Sequence, residues 1–161
     1  MKTKLILFLL SLSLLGAAQN GSLSIDKAMD KIITPGDSYF EVTKDMFTML
    51  SESKGVSPEY VNYIKQLHKL KMIQPGRTAS NHGEIIVKTF LENTDLQSYT
   101  RLMTRRDNHE VLHFYKKEGK NENEFLLVSS DMIIYITGTL DLKSIGEFQQ
   151  VMEIAGSAFD M

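Results

Sequence analysis

The four histidines of the chain are His68, His82, His109 and His113. On a helix, the four-residue spacing of His109 and His113 would place both imidazoles on one face, as a metal-binding pair requires. The segment is instead predicted to be a strand, in which four residues span about 13 Å, so one metal ion cannot bridge the pair. His82 lies beside Gly83 in a predicted loop, with no acidic residue at a defined spacing. His109 and His113 are therefore predicted to be solvated or cross-strand residues.

No nucleophile has the sequence context that catalysis needs. Ser51 and Lys54 match a Ser-x-x-Lys pair, but they lie at a predicted helix end without the companion motifs. A Gly-x-Ser-x-Gly turn and a glycine-rich phosphate loop are both absent. With 0 cysteines, the chain has no thiolate nucleophile, disulfide, cysteine-based metal site or lipid-modified cysteine. The sequence therefore predicts no catalytic, cofactor-binding or metal-binding residue, and a protein that is not an enzyme.

The densest acidic groups are Asp26 with Asp30, and Glu118 with Glu122 and Glu124. Neither group follows the alternating Asp/Asn pattern with glycine that a calcium loop requires. Both groups are therefore expected on the solvated surface.

The main basic group consists of Arg101, Arg105 and Arg106, together with Lys116 and Lys117. Arg105 and Arg106 are predicted to end a helix, where the helix dipole favours cations. An anionic partner is the alternative interpretation of this group.

Met46 and Met49 recur at helical spacing on one face of a predicted helix. Methionine-rich faces either fill a core or form an adaptable binding groove. The core is the expected place for this pair.

The first eighteen residues, Met1 to Ala18, follow the pattern of a secretory signal peptide. Lys2 and Lys4 precede an apolar run from Leu5 to Leu15, and small residues lead up to Ala18. A buried core helix and a retained membrane anchor are the alternatives, although the run is much shorter than the roughly 20 residues that span a bilayer. Cleavage after Ala18 would remove two of the 18 basic residues and none of the 20 acidic ones, leaving a net charge of −4. Such a chain is a poor candidate for binding nucleic acid, and no other segment is long and apolar enough to span a membrane.

Apolar periodicity, capping residues and turn residues divide the rest of the chain into elements. The predicted helices span 25–33, 43–53, a segment from 57 to 67 or 68, 81–93, 95–105 and a final segment from 141. The predicted strands span 39–42, 70–74, 111–117, 124–130 and 132–140.

Two of the predicted helices depend on a choice between patterns. In the segment from Asn81 to Asn93, Ile85-Ile86-Val87 favours a strand by propensity, whereas Ile86 and Phe90 suit a helix. A helix is chosen because Asn93-Thr94-Asp95 resembles a break between two helices. The second of these, from Asp95 to Arg105, would point Leu96, Tyr99, Leu102 and Met103 inward.

The fold expected from this order is α+β, with two layers: an antiparallel sheet packed against helices. The sheet would contain a C-terminal three-stranded meander and short N-terminal strands. We expect a signal peptide over residues 1–18, a flexible leader over 19–24 and one domain over 25–161. Gly138, near the end of an apolar strand, is expected at a bulge or a close approach of backbones, and Asp141 is expected to cap the last helix.

Several segments resemble a known family. They are the signal followed by Gln19, the helix with Met46 and Leu50, the segment Tyr99-x-x-Leu102-Met103, the stretch from Asp107 to Lys116, and the run from Ile134 to Leu142. Together they resemble the small exported proteins of Bacteroidota-type bacteria that form domain of unknown function 4252, over residues 24–156. The resemblance implies a Gram-negative envelope setting, and the family provides no functional residues to transfer.

The functional expectation is an exported, non-catalytic protein of the cell envelope, periplasmic or secreted, that binds a protein or a ligand without a cofactor. The partner would be another envelope protein. A periplasmic hydrolase or isomerase that uses His109 or His113 with a carboxylate is the alternative, and it requires one of these imidazoles within hydrogen-bond reach of an acid in a concave pocket. A carrier of a small ligand is a third possibility, which requires the apolar helix faces to enclose a cavity.

Overall fold

The computed structural model describes residues 23–76, 81–107 and 110–141. Its helices are α1 (Ile25–Ile32), α2 (Lys44–Glu52), α3 (Pro58–Gln66) and α4 (His82–Asn93). Its strands are β1 (Ser38–Thr43), β2 (Leu67–Gln74), β3 (Thr100–Asp107), β4 (Glu110–Lys117), β5 (Asn123–Val128) and β6 (Ile133–Gly138). The predicted signal peptide, most of the leader and the predicted helix after Asp141 lie outside the described residues. Leu23, at the end of the predicted leader, forms a parallel bridge with Thr94.

The strands form one six-stranded sheet in the order β1-β2-β6-β5-β4-β3. Every neighbouring pair is antiparallel. The sequence predicts that β4, β5 and β6 form an antiparallel meander, because connections this short can join only antiparallel neighbours. The α+β architecture, with an antiparallel sheet packed against helices, is therefore confirmed.

Strand β6 lies in the interior of the sheet, and all six of its residues are buried. Its side chains alternate between two apolar clusters. Ile133 and Tyr135 join the cluster that contains residues of α1 and α4. Ile134 and Ile136 join the cluster that contains residues of α2 and α3. This continuous apolar run is what a strand buried on both faces requires.

The ambiguous segment before β3 forms a helix, as predicted. In α4, Ile86 and Phe90 are buried, whereas Ile85 is 53% exposed. Burial of one face against the sheet therefore outweighs the strand propensity of Ile85-Ile86-Val87.

The predicted helix over 95–105 is wrong, because residues from Thr100 onward form strand β3. This strand pairs with β4 along its length, from Thr100 opposite Lys116 to Asp107 opposite Glu110. Leu102 and Met103, predicted to face inward, are 39% and 46% exposed. Backbone pairing with β4 therefore decides this segment, and the helical spacing of its apolar residues does not.

Strand β2 begins at Leu67, three residues earlier than predicted, so Leu67 and His68 belong to the strand and not to the preceding helix. Its residues from Leu67 to Ile73 pair with β6 and its residues from Lys69 to Gln74 pair with β1. The helix pattern ended too late because Leu67 satisfies both the helical and the strand periodicity.

Gly138 lies where two backbones approach closely, as the sequence predicts. A Cβ atom on Gly138 would overlap the carbonyl oxygen of Gln66 and lie 3.1 Å from its carbonyl carbon. The register of β2 against β6 shifts between Leu67 and Lys69, and the Thr139 amide donates to the same Gln66 oxygen at 2.9 Å. Glycine is therefore the residue that this strand end accommodates.

Candidate binding surface

The histidines lie in separate places, and the described residues contain no group of three side chains that could hold a metal ion. In β2, His68 Nδ1 lies 3.0 Å from Glu122 Oε2. At the start of α4, His82 Nε2 lies 2.8 Å from Asp37 Oδ1. In β4, His113 Nδ1 lies 3.1 Å from Thr104 Oγ1. His109 lies outside the described residues.

Ser51 does not form the pair with Lys54 that its spacing suggests. Its hydroxyl donates to the Thr48 carbonyl at 2.7 Å, and the residue is 7% exposed. Lys54 is exposed in the loop after α2. Ser51 therefore satisfies its hydroxyl within its own helix, as serine often does.

Asp37 joins three segments through a buried carboxylate with a side chain that is 0% exposed. Its oxygens accept hydrogen bonds from the Gly76 amide at 2.8 Å, the Thr34 amide at 2.8 Å and the Thr34 hydroxyl at 2.7 Å, in addition to the His82 contact. Burial alone would raise the pKa of Asp37, but these hydrogen bonds hold that pKa well below its ordinary value of 3.8. The carboxylate is therefore an ionised connector between the α1–β1 turn, the end of β2 and the start of α4.

Lys71, in the middle of β2, carries a charge that the sequence analysis did not single out. Its side chain is 3% exposed, and its Nζ lies 2.7 Å from Asp30 Oδ1 and 2.9 Å from Asp26 Oδ1. Asp26 also contacts Lys69 Nζ at 3.2 Å. Burial would lower the pKa of Lys71, but the two carboxylates raise it above its ordinary value of 10.5. Asp26 and Asp30, expected to be merely solvated, thus attach α1 to the sheet.

Glu124, on β5, collects hydrogen bonds from three other segments. Its Oε2 accepts from the hydroxyls of Tyr99 and, at 2.7 Å, Tyr135, and its Oε1 accepts from Lys117 Nζ at 2.8 Å. Burial would raise the pKa of Glu124, but these donors lower it below the ordinary value of 4.5. For Tyr99 and Tyr135, burial and the adjacent carboxylate both raise the pKa above the ordinary value of 10.0.

These clusters are arranged to keep their charges and protons in place. A lysine with a raised pKa stays a cation, so Lys71 is a poor nucleophile or base. Tyrosines with raised pKa values stay neutral, and carboxylates with lowered values stay ionised, so neither offers a proton transfer matched to neutral pH. The clusters therefore connect elements of the fold, and we place no reaction in them.

A pH profile of stability tests these assignments. The folded-state pKa values of Asp26, Asp37 and Glu124 lie below ordinary values of 3.8, 3.8 and 4.5, so their stabilisation is complete above those values and is lost as the pH falls through the lowered ones. The pKa values of Tyr99 and Tyr135 lie above 10.0, so their contribution is present below pH 10.0 and is lost as the pH rises beyond it. The urea concentration at the midpoint of unfolding should therefore be highest around neutral pH and should decrease at both lower and higher pH.

The alkaline half of that profile has an internal control. In Tyr135→Phe, which removes one titrating hydroxyl, the decline above pH 10.0 should be shallower than in the wild type. A Tyr135→Phe profile with an unchanged alkaline decline would contradict the assignment.

Met46 and Met49, predicted to fill the core, lie on the outer side of α2. They are 40% and 66% exposed, whereas Phe47 of the same helix is 3% exposed. The prediction is wrong because helical spacing identifies a shared face without saying which face meets the sheet. Phe47, between them, faces the core.

The β3–β4 surface (residues 100–106 and 111–117) lies at the edge of the sheet opposite β1. In β3, all six residues from Arg101 to Arg106 are exposed, whereas in β6 all six residues are buried. The arginines of the basic group thus lie on a strand and not at a helix C-terminus, which corrects the dipole interpretation. Val111 on β4 is a further apolar residue here, 38% exposed.

An open groove of about 460 Å³ lies along one face of this surface, between α4 and β4. Its apolar lining comes from Val87, Leu91, Val111 and Val128. His113 also lines the groove. Its pKa is lowered below 6.5, mainly because the imidazole is partly buried and also because Arg101 and Arg106 are positively charged. The groove therefore combines an apolar floor with charged residues of both signs, Glu84, Lys88 and Glu92. Sequence reasoning missed it because α4 and β4 meet only in the folded chain.

Among the described residues, no helix has the length and apolar character needed to cross a bilayer. The model of one protein family, described as a domain of unknown function (DUF4252), matches residues 34–148. No curated protein and no solved structure matches the chain. Because the family match covers well over half of the sequence, including every described strand, the chain belongs to the DUF4252 family.

Proposed function

We propose that this protein is an exported, non-catalytic binding module of the bacterial cell envelope, and that it binds another protein through the β3–β4 surface. The observation that carries the proposal is the exposure of β3, in which no residue from Arg101 to Arg106 is buried. Exposed apolar residues with arginine are typical of surfaces that bind proteins. The signal-like pattern of Met1 to Ala18 supports export.

The titratable groups support a binding role over catalysis. His113, one of the two histidines on which the hydrolase or isomerase alternative depends, contacts the Thr104 hydroxyl. The pKa of Lys71 is raised, and those of Tyr99 and Tyr135 are raised too, which holds each group in one protonation state near neutral pH. The net charge of −4 expected after cleavage favours a protein over nucleic acid as the partner.

Site-specific photo-crosslinking in the source cell tests the proposal. A photoreactive amino acid at position 102, on β3, should give one reproducible adduct with an envelope protein. The same amino acid at position 31, an exposed lysine at the end of α1, provides the matched control and should not give that adduct. An absent adduct, or the same adduct from both positions, would count against binding through this surface.

The export part of the proposal has its own measurement. N-terminal sequencing of the protein recovered from the periplasmic or secreted fraction should begin at Gln19, the residue after the expected cleavage point. Full-length protein confined to the cytoplasm would contradict export.

A further inference from the structure

Among the strands that the structure describes, β3 lies at an edge of the sheet and has one unpaired side. Within residues 23–76, 81–107 and 110–141, β3 is the last strand of the sheet and pairs only with β4. The outer backbone N–H and C=O groups of such an edge strand can accept an additional strand. Eight residues long, β3 offers as many backbone positions as β2, which pairs on both sides.

Two of the three arginines of β3 lie on one face of that edge. Arg101 lies opposite Tyr115 and Arg106 opposite Val111. A separation of five residues on β3 therefore spans the same length as a separation of four on β4, with a register shift between Arg101 and Met103. Both arginines therefore point to the face that carries His113 and the groove, and their influence on the pKa of His113 agrees with this placement.

The opposite face of the edge is partly apolar. Met103 lies opposite Phe114 and is 46% exposed. Phe114 in turn stacks on Phe125, with ring centroids 6.2 Å apart. An added strand would therefore meet Arg101 and Arg106 on the groove face, and Met103 together with Arg105, which lies opposite Leu112, on the other.

The same charges disfavour a second copy of this chain as the occupant. Two β3 strands paired antiparallel would bring a strand with three arginines against another with three arginines, and like charges across a strand pair are destabilising. The other edge, β1, is a weaker candidate because it has six residues, its Val42 is buried, and its Tyr39 hydroxyl donates to Glu41 at 2.6 Å.

We propose that β3 binds an extended acidic segment of a partner protein as a seventh strand, with two carboxylates of that segment paired to Arg101 and Arg106. Planar guanidinium groups bind carboxylates in a bidentate geometry, which supplies specificity beyond charge alone. The matching spacing is four residues, the separation of Tyr115 and Val111 on the other side of β3. An apolar residue between the two acids would contact Met103. This inference rests on the proposed function, since it specifies the partner of the same surface.

The first experiment is an NMR titration of the mature protein with a short synthetic peptide, Gly-Glu-Val-Thr-Val-Glu-Gly, capped at both ends. Saturable shifts should be confined to the amides of β3 and its neighbours on β4. N-methylation of one alternate set of peptide amides should abolish these shifts, and N-methylation of the other set should leave them, because only one set of amides faces the protein in an added strand. Equal effects of the two methylated peptides, or shifts outside the β3–β4 surface, would overturn strand addition.

The second experiment tests the charge pairing. The variant Arg101→Glu/Arg106→Glu should bind the acidic peptide about tenfold more weakly or worse and should bind a peptide with lysines in place of the glutamates more tightly. The variant Lys31→Glu/Lys54→Glu has the same change in net charge at exposed positions on α1 and after α2, so its affinity should stay near that of the wild type. Equal weakening in both double variants would overturn the assigned pairs, because it would reflect net charge alone.

Failure of this inference can be told apart from failure of the proposed function. If position 102 crosslinks to an envelope protein while the peptide titration leaves β3 unchanged, the β3–β4 surface binds its partner in another way and strand addition is wrong. If position 102 gives no adduct in the cell, the proposed function itself fails, whatever the peptide does.

Discussion

Replacing Gly138 with alanine is expected to lower the free energy of unfolding by about 3 kcal/mol, at the upper end of what overpacking usually costs. The added methyl group would overlap the carbonyl oxygen of Gln66, and the atom that must move belongs to the backbone at the junction of α3 and β2. Either β6 or β2 must shift, and both lie at the centre of the sheet. For a domain of this size the change corresponds to a fall in melting temperature of about 10 °C.

Gly55→Ala is the matched control for this substitution. A Cβ atom on Gly55 would have no neighbour within 4 Å, and only Gly36 has a positive φ among the glycines described, so alanine meets neither a clash nor a strained backbone at position 55. Its unfolding free energy should stay within about 1 kcal/mol of the wild type, with a gain as plausible as a loss. Urea denaturation of both variants decides the matter, and a Gly138→Ala midpoint equal to that of Gly55→Ala would show that the strand end does not need glycine.

The parts of the fold that the sequence predicts are those with local signals. The meander of β4, β5 and β6 consists of segments rich in Val, Ile, Phe and Tyr separated by short turns, so both its strands and their pairing follow from neighbouring residues. The pairing of β2 with β6 has no such signal, because helix α4 and three other strands separate them. Non-local pairing depends on which apolar faces can be buried together, and a single sequence does not display that.

Strand β3 shows a different limit, because its structure is predicted wrongly although its partner β4 is the next strand along the chain. Its sequence Thr-Arg-Leu-Met-Thr-Arg-Arg-Asp has few strand-favouring residues, and its apolar residues happen to fall at helical spacing after Leu96 and Tyr99. The hydrogen-bonded ladder with β4, the next strand along the chain, stabilises this segment as a strand, and the spacing of apolar residues within the segment does not reveal that ladder. An error in one element therefore also misplaced the arginines that now define the β3–β4 surface.

The buried charges could not have been predicted as pairs. Lys71 and Asp30 are 41 residues apart in the chain, and Asp37 and His82 are 45 apart. What the sequence does display is the four-residue spacing of Asp26 and Asp30, which places two carboxylates on one side of α1 next to its apolar stripe. Because these two carboxylates lie at the border of a buried face, their position indicates that a cation of another element pairs with them.

Lys71→Met is expected to lower the free energy of unfolding by about 2 kcal/mol, less than the about 3–5 kcal/mol seen when one partner of a fully buried ion pair is removed. Methionine keeps the apolar stem that Lys71 buries and removes only the charge. Two carboxylates then lose their closest cation, but the side chains of Asp26 and Asp30 are 36% and 55% exposed, so water can solvate them in part. This exposure is why the smaller value is expected.

Lys69→Met separates the effect of burial from the loss of a lysine. Lys69 lies on the same strand and contacts the same Asp26, but its side chain is 33% exposed and its Nζ lies 3.2 Å from the carboxylate. Such a partly exposed ion pair contributes about 0.5 kcal/mol. Equal losses in the two variants, measured by urea denaturation, would contradict the assignment of Lys71 as the cation that holds α1 on the sheet.

The carboxylates themselves provide the decisive comparison. If Lys71 is needed because Asp26 and Asp30 are charged, Lys71→Met should cost less in a chain that already carries Asp26→Asn and Asp30→Asn than in the wild type, with a coupling free energy of about 1–2 kcal/mol. If the cost of Lys71→Met is the same in both backgrounds, the ion pairs add nothing, and the stem of Lys71 acts only as apolar packing. The expected coupling follows from distances of 2.7 and 2.9 Å to a cation that is 3% exposed, because a buried charge is stabilised chiefly by the opposite charges within its reach.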